Sequence, residues 1–199
     1  MSATTAPPSP GVLLDPAATS LPRTALLVAG GAALTAALAQ VSVPVPGSPV
    51  PVSGQTLAVV LTAAALGPVR GAAAQVAYLL AGLAGLPVYA DGEGGPAAVL
   101  GATGGYVVGF VPAAFLVGLA ARRGVDRRAG RALLLFAAGQ GVVFAVGVPW
   151  LALSAGLSAS GALRAGFYPF LPGGVLKAAL GAVLIAGAWR LRARARMAP

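Results

Sequence analysis

Six long apolar runs, separated by short polar or Gly/Pro-rich connections, make up most of the chain. A helix needs about 20 predominantly apolar residues to cross a bilayer, within a range of about 17–25. The pattern therefore predicts six membrane-spanning helices. The second and third runs are short and lie close together, so they form either two tilted spans or a re-entrant pair. The runs cover residues 24–40, 50–67, 71–86, 103–121, 132–155 and 174–191.

The charged residues lie between these runs and set an orientation. The chain has 13 Lys and Arg, 4 Asp and Glu, and a net charge of +9. Two clusters of arginine, within residues 122–131 and 190–196, fall on one side of the predicted membrane, and only Arg164 and Lys177 fall on the other. Lys and Arg accumulate in cytoplasmic loops, so this side and both termini are predicted to be cytoplasmic. The positive charge thus reflects topology, and no nucleic-acid partner is expected.

Composition narrows the function further. The chain is 58% hydrophobic and 9% charged, and it contains no Cys and no His, so thiolate, imidazole and the usual zinc chemistry are excluded. No phosphate-binding Gly-x-x-x-x-Gly-Lys-Ser/Thr loop is present. We therefore expect neither an enzyme nor a bound metal or cofactor. The predicted organisation is a disordered cytoplasmic tail (residues 1–22), a membrane domain (23–191) and a basic cytoplasmic tail (192–199).

The connections on the outer side are rich in Gly, Pro and aromatic residues. The first of them, residues 43–54, alternates Val and Pro around a Gly-Ser centre, which predicts a stiff extended hairpin. Irregular backbone at membrane depth is tolerated only where protein buries it or where it lines a cavity. We therefore predict an outward-facing pocket that these loops cover.

Several residues near this pocket are candidates for ligand binding. Lys177 lies in the first turn of the sixth run, either as a cation for an anionic ligand or as a side chain that reaches the interface. Gln55 offers an amide to a ligand or marks the interface. Tyr106 and Tyr89 either line the pocket or belong to the aromatic belt. The turn Thr103-Gly104-Gly105 offers backbone N–H groups at a helix start.

A stripe of small residues runs along the first predicted helix at four-residue spacing. Small residues on one helix face let another helix approach closely. The stripe serves either packing inside the protein or docking of a partner. It consists of Ala25, Ala29, Ala33 and Ala37.

Ordered sequence blocks between about Gln40 and Lys177 resemble the BioY family, the biotin-specific substrate-binding (S) subunits of energy-coupling factor (ECF) transporters. Each block is weak alone, but together and in this order they are specific. The blocks are Pro49-Val50-Pro51-Val52 before Gln55-Thr56, Leu66-Gly67-Pro68-Val69-Arg70-Gly71, Gly82-Leu83-Ala84-Gly85-Leu86-Pro87-Val88-Tyr89, Gly94-Gly95-Pro96, Thr103-Gly104-Gly105-Tyr106 and Phe170-Leu171-Pro172-Gly173 before Lys177.

The resemblance implies an all-α bundle of six transmembrane helices in the bacterial cytoplasmic membrane, with an outward-facing pocket that captures biotin as a substrate and not as a prosthetic group. It implies a transmembrane coupling (T) subunit and two cytoplasmic ABC-type ATPases as partners, and it favours the alanine stripe as the docking face. The chain departs from the family at Gly174, where an Asp is usual. Lys177 thereby loses an expected neighbour of opposite charge.

Two other functions remain open from the sequence. The departure at Gly174 suggests an S subunit for another vitamin. The small-residue stripe, together with the lack of coupling machinery, suggests a membrane assembly factor that transports nothing.

Overall fold

The computed structural model describes residues 11–14 and 20–195, and this part of the chain is predominantly helical. A two-residue antiparallel ribbon joins the first two helices, and three short 3-10 turns lie at Ala90–Gly92, Val125–Arg127 and Tyr168–Phe170. In chain order the elements are α1 (Leu21–Ala39), β1 (Ser42–Val43), β2 (Val52–Ser53), α2 (Gln55–Leu66), α3 (Pro68–Leu83), α4 (Pro96–Leu100), α5 (Gly104–Arg122), α6 (Ala129–Ser154), α7 (Ala159–Gly166) and α8 (Leu171–Ala195).

Each of the six predicted apolar runs coincides with a helix, which confirms the all-helical class. Four helical segments are long and apolar enough to cross a bilayer: α1, α5, α6 and the segment Ala159–Ala195. Helix α2 is apolar but has only 12 residues, and α3 has 16. The predicted count of six spans therefore remains a prediction.

Helix α5 occupies the centre of the bundle. It packs against α2, α3 and α6, while α8 covers α6 and α2, and α1 lies at the edge against α2 and α3. Glycines make the central contacts close: a Cβ added at Gly109 would lie 3.2 Å from Val143 Cα, and one at Gly118 would overlap the backbone of Gly67. Backbones can approach this closely only where the side chains are minimal.

The helix connections alternate between two ends of the bundle. The basic end carries the α2–α3 turn, the α5–α6 connection and the end of α8, where the arginines concentrate. The opposite end, called the pocket end below, carries the β1–β2 ribbon, the loop between α3 and α4, and α7. The ribbon pairs Ser42 with Ser53 and Val43 with Val52, which confirms the predicted hairpin.

A short N-terminal segment packs against the basic end. Val12 is buried, Leu14 N donates to Ala65 O at 2.8 Å, and Arg192 donates to the carbonyls of Val12 and Leu13 at 2.9 and 2.7 Å. The structure thus departs from the predicted disordered tail at residues 11–14, because these apolar residues find a surface beside α2 and α8. Helix α1 also begins at Leu21 and α8 continues to Ala195, whereas residues 1–10, 15–19 and 196–199 of the predicted tails lie outside the described residues.

A buried acid joins the α5–α6 connection to α8. Asp126 is fully buried, and its Oδ2 accepts a hydrogen bond from Trp189 Nε1 at 2.8 Å. The guanidinium groups of Arg127 and Arg192 lie 4.7 and 5.4 Å from the Trp189 ring centre, within range of a cation–π contact. Burial raises the pKa of the Asp126 carboxyl, while the Trp189 hydrogen bond lowers it. The basic end is therefore built as a packed cluster.

Candidate ligand-binding site

A cavity of about 120 Å³ lies at the pocket end. The ribbon and the loop after α3 cover it, and α2, α5, α6 and α8 form its walls. Its lining combines apolar and aromatic groups with a few polar ones, as is usual for small-molecule sites. The lining residues are Pro49, Val50, Pro51, Ser53, Gln55, Thr56, Tyr89, Ala90, Asp91, Glu93, Thr103, Tyr106, Val107, Phe110, Gln140, Val143, Phe144, Phe170 and Lys177.

Lys177 supplies a positive charge to the cavity wall. It projects from α8 and its Nζ donates to Ser53 O at 2.9 Å, which ties α8 to the ribbon. An ammonium group has three N–H donors, so two remain for a ligand. The side chain is half-buried and lines the cavity, and this placement favours the ligand-binding interpretation of Lys177 over a lysine that only reaches the interface.

Gln55 is held in place at the first residue of α2. Its Oε1 accepts from Ser53 Oγ at 2.6 Å, and its Nε2 donates to the hydroxyl of Tyr78. Tyr78 in turn donates to Val88 O at 3.1 Å. This chain of hydrogen bonds connects the ribbon, α2, α3 and the loop after α3, so Gln55 both lines the cavity and fastens its cover.

Tyr89 and Tyr106 are buried in the cavity wall. They are 4% and 7% exposed, which argues against the aromatic belt for both. Tyr89 donates to Leu79 O at 2.6 Å, and Tyr106 donates to Gly166 O at 2.9 Å. Their hydroxyls are therefore committed to backbone carbonyls, and the rings are left to face a ligand. Burial raises the pKa of the Tyr89 hydroxyl, so this group stays a neutral donor.

The predicted glycine turn divides into two parts. Thr103 lines the cavity, but Gly104 and Gly105 do not. A Cβ at Gly104 would overlap the backbone of Val99, and one at Gly105 would overlap the side chain of Trp150. The structure thus gives both glycines a packing role at the start of α5, and a contact between their backbone N–H groups and a ligand stays a prediction.

Three groups of lining residues were not among the sequence candidates. Phe144 and Phe170 pack around Tyr106, with ring centres 6.3 Å from it, and Phe110 adds a further aromatic wall. Asp91 and Glu93 are exposed and also contribute to the lining. Gln140 donates from Nε2 to Gly174 O at 2.9 Å and also lines the cavity. The sequence does not show whether an aromatic or amide side chain within an apolar run faces the cavity, another helix or the lipid.

A helical membrane bundle with a covered, mixed polar and aromatic cavity defines a multi-pass membrane protein that binds a small molecule. The sequence model of the BioY family matches residues 12–194, so the chain belongs to the BioY family.

Individual relatives agree with this assignment. A Pyrococcus horikoshii protein named "Probable biotin transporter BioY" is 39% identical over 160 residues, which span 80% of this chain and 91% of that protein. The biotin transporter BioY of Rhizobium etli is 36% identical over 143 residues, which span 68% and 76%. The crystal structure of the S-component for biotin from an ECF-type ABC transporter superposes with a TM-score of 0.77 at 28% identity, covering 88% of this chain and 95% of that one.

Proposed function

We propose that this chain captures biotin at the outer face of the bacterial cytoplasmic membrane, as the substrate-specificity subunit of an ECF-type transporter. The chain is a transport protein and not an enzyme. The observation that carries the proposal is the cavity at the pocket end, which places Lys177 among aromatic and apolar walls in a member of the BioY family. The similar proteins named as biotin transporters support the choice of ligand.

The chemistry of the cavity suits biotin. The ligand has an apolar bicyclic ring and chain, a ureido group and a carboxylate. Pro49, Val50 and the aromatic side chains offer surface to the apolar parts, while Lys177 offers two N–H donors and a charge to an oxygen of the ligand. Charge-assisted hydrogen bonds in a partly dry site are stronger than neutral ones, so Lys177 is the side chain expected to contribute most to affinity.

The proposal includes partners and a topology. The helices of the six apolar runs, α1, α2, α3, α5, α6 and α8, would all cross the membrane, with both termini in the cytoplasm and the cavity open to the outside. A transmembrane coupling subunit and two cytoplasmic ATPases would drive release inward. The alanine stripe supports a docking face, because Ala25, Ala29, Ala33 and Ala37 are all exposed. The opposite stripe of α1, formed by Gly31, Thr35 and Ala39, is the one that packs within the bundle.

The test is equilibrium binding of biotin to the purified protein in detergent. Lys177→Met is expected to weaken biotin binding by at least about tenfold, because a charge-assisted hydrogen bond contributes about 1.5–3 kcal/mol. Arg164→Met is the matched control: it removes an exposed cation at the same end, outside the cavity lining, and is expected to bind like the parent. Equal affinity of the parent and Lys177→Met would refute the role given to Lys177.

A second candidate function is capture of a different vitamin, which the absence of a carboxylate at Gly174 favours. The same assay with other vitamins as competitors separates the two: biotin alone displaces the probe, or another compound does. A folded protein with no saturable site, but with a co-purifying membrane partner, would instead indicate an assembly factor.

A further inference from the structure

Gln140 presents an acceptor to the cavity. Its side chain is 5% exposed and lies between α6 and α8. A carbonyl oxygen can only accept a hydrogen bond, so the contact with Gly174 O determines which end of the amide is Nε2 and leaves Oε1 as the other end. Within residues 11–14 and 20–195 no hydrogen bond to Oε1 is formed, although Gln140 lines the cavity. Because Gln140 lines the cavity and its Oε1 has no protein donor within the described residues, this oxygen is available to a donor on a ligand.

The position of this acceptor relates it to Lys177. Gly174 and Lys177 are three residues apart on α8 and therefore lie about one turn apart on the same face. The Gln140 amide is held against Gly174, and both Gln140 and Lys177 line the cavity. The two side chains together offer one acceptor and two free N–H donors to the same wall of the cavity.

Gln140 also lies at the boundary between two cavities of different polarity. On its other side a second cavity of about 190 Å³ lies between α6 and α8, and its lining is almost entirely apolar. The residues that border this second cavity include Gln140 and Phe144 on α6 and the exposed Leu171 and Val175 on α8. A polar side chain at this boundary is expensive unless it is satisfied on the wetter side.

We propose that Gln140 Oε1 accepts a hydrogen bond from a ureido N–H of the ligand, and so directs the ring end of the ligand toward the α6–α8 wall. This inference rests on biotin being the ligand. The ureido nitrogens are the N–H donors that biotin has at neutral pH, since its carboxylate can only accept. An acceptor at this wall therefore selects the ring end, and Lys177 can donate to an oxygen of the same ligand.

Gly174 makes room for this arrangement. A Cβ at position 174 would lie 3.1 Å from Gln140 Oε1, a closer contact than side chains ordinarily tolerate, so the amide would have to move. A Cβ at the neighbouring Gly173 would meet Val52 Cγ1 at 3.4 Å, an ordinary contact. The absence of a side chain at 174 is thus coupled to the position of the Gln140 acceptor.

The experiment compares two ligands on two proteins: biotin and an analogue methylated at both ureido nitrogens, on the full-length wild type and on Gln140→Met. The variant keeps the approximate length of the side chain and removes the acceptor. We expect it to weaken biotin binding about tenfold, the scale of one hydrogen bond with a desolvated partner, and to leave binding of the methylated analogue within about twofold. The preference of the protein for biotin over the analogue would then fall about tenfold, which a loss of general packing would not produce.

Gly174→Ala and Gly173→Ala provide a second, independent test, with folding of each protein checked by thermal unfolding. Gly174→Ala is expected to weaken biotin binding several-fold, and Gly173→Ala to leave it unchanged. An undiminished preference for biotin in Gln140→Met, or equal biotin affinity in both glycine variants, would overturn the inference while leaving biotin capture intact. Failure of the folded wild type to bind biotin at all would instead overturn the proposed function.

Discussion

Helices α1 and α5 have the same length and similar apolar sequences, but α1 lies at the edge of the bundle and α5 at its centre. Each has 19 residues and is apolar enough to cross a bilayer. Only 11% of the span in α1 is buried within the protein, against 61% in α5. In a membrane the hydrophobic effect does not press helices together, since lipid is as apolar as protein. Apolarity therefore shows that both helices are able to cross a bilayer, but it does not tell which of them forms the core of the bundle.

The difference arises from where small residues meet neighbours. In α5 the glycines lie against α4, α6 and the turn before α3, so partners pack on several sides. In α1 one stripe packs, through Gly31 against Thr62 and Ala74, while a Cβ at Gly30 would meet nothing within 4 Å. One face of α1 thus packs within the bundle and the other is exposed, whereas a central helix is covered on most sides.

The largest effect on stability is expected when one methyl group is added to a glycine of α5 and not when it is added to a glycine of α1. Gly105→Ala in α5 would drive a Cβ into Trp150, whose indole is held by a hydrogen bond to Gly101 O at 2.9 Å. We expect a loss of about 2–3 kcal/mol in the free energy of unfolding, as for overpacked cores. Gly30→Ala in α1, with open space around it, is expected to cause no loss. Thermal unfolding of both variants in detergent checks this, and equal stabilities would show that the contrast between the helices is false.

A smaller effect is expected on the packed face of α1. Thr35 is fully buried, and its hydroxyl lies 3.1 Å from Gly31 O and 3.3 Å from Gln75 Oε1. Thr35→Val keeps the shape and leaves Gln75 without this donor, so we expect a loss of about 1–2 kcal/mol in the free energy of unfolding. The matched control is Thr24→Val at the half-buried start of α1. Urea titration of both variants measures the difference, and no difference would mean that α1 packs only through its apolar contacts.

The smallest effect on stability is expected on the free face of α1. Ala33→Leu adds volume at an exposed position, so the free energy of unfolding should stay within about 0.5 kcal/mol of the parent. Biotin affinity should also be unchanged, because Ala33 does not line the cavity.

Assembly, in contrast, should be sensitive to Ala33→Leu. If the coupling subunit docks on this stripe, recovery of that subunit in a pull-down should fall at least about tenfold, because close helix approach requires small side chains. Ala145→Leu, an equally exposed alanine on α6, serves as the control. Equal recovery with both variants would place the docking face elsewhere.

Part of the candidate site was predictable because this chain has few polar and ionisable side chains that could bind a ligand. With so few ionisable residues, Lys177 stood out, and Gln55, Thr103, Tyr89 and Tyr106 were marked by neighbouring Gly and Pro; all five line the cavity. A glycine that admits a ligand and one that admits a neighbouring helix have the same sequence signal, so the sequence does not separate these two roles for Gly104 and Gly105. Gln140 was missed as a lining residue because an amide within an apolar run predicts helix bridging equally well.

The sequence by itself determined the helical membrane class, the positions of the helices and the family, since apolar length, loop charge and ordered Gly/Pro blocks are local properties. Only the tertiary structure decided that α5 is central and α1 peripheral, that residues 11–14 pack against the basic end, and that Gln140 meets Gly174 beside Lys177. These features depend on close approach between residues far apart in the chain. In a bilayer such contacts depend on how closely the helix surfaces pack and not on how apolar they are, so the hydropathy of the sequence does not predict them.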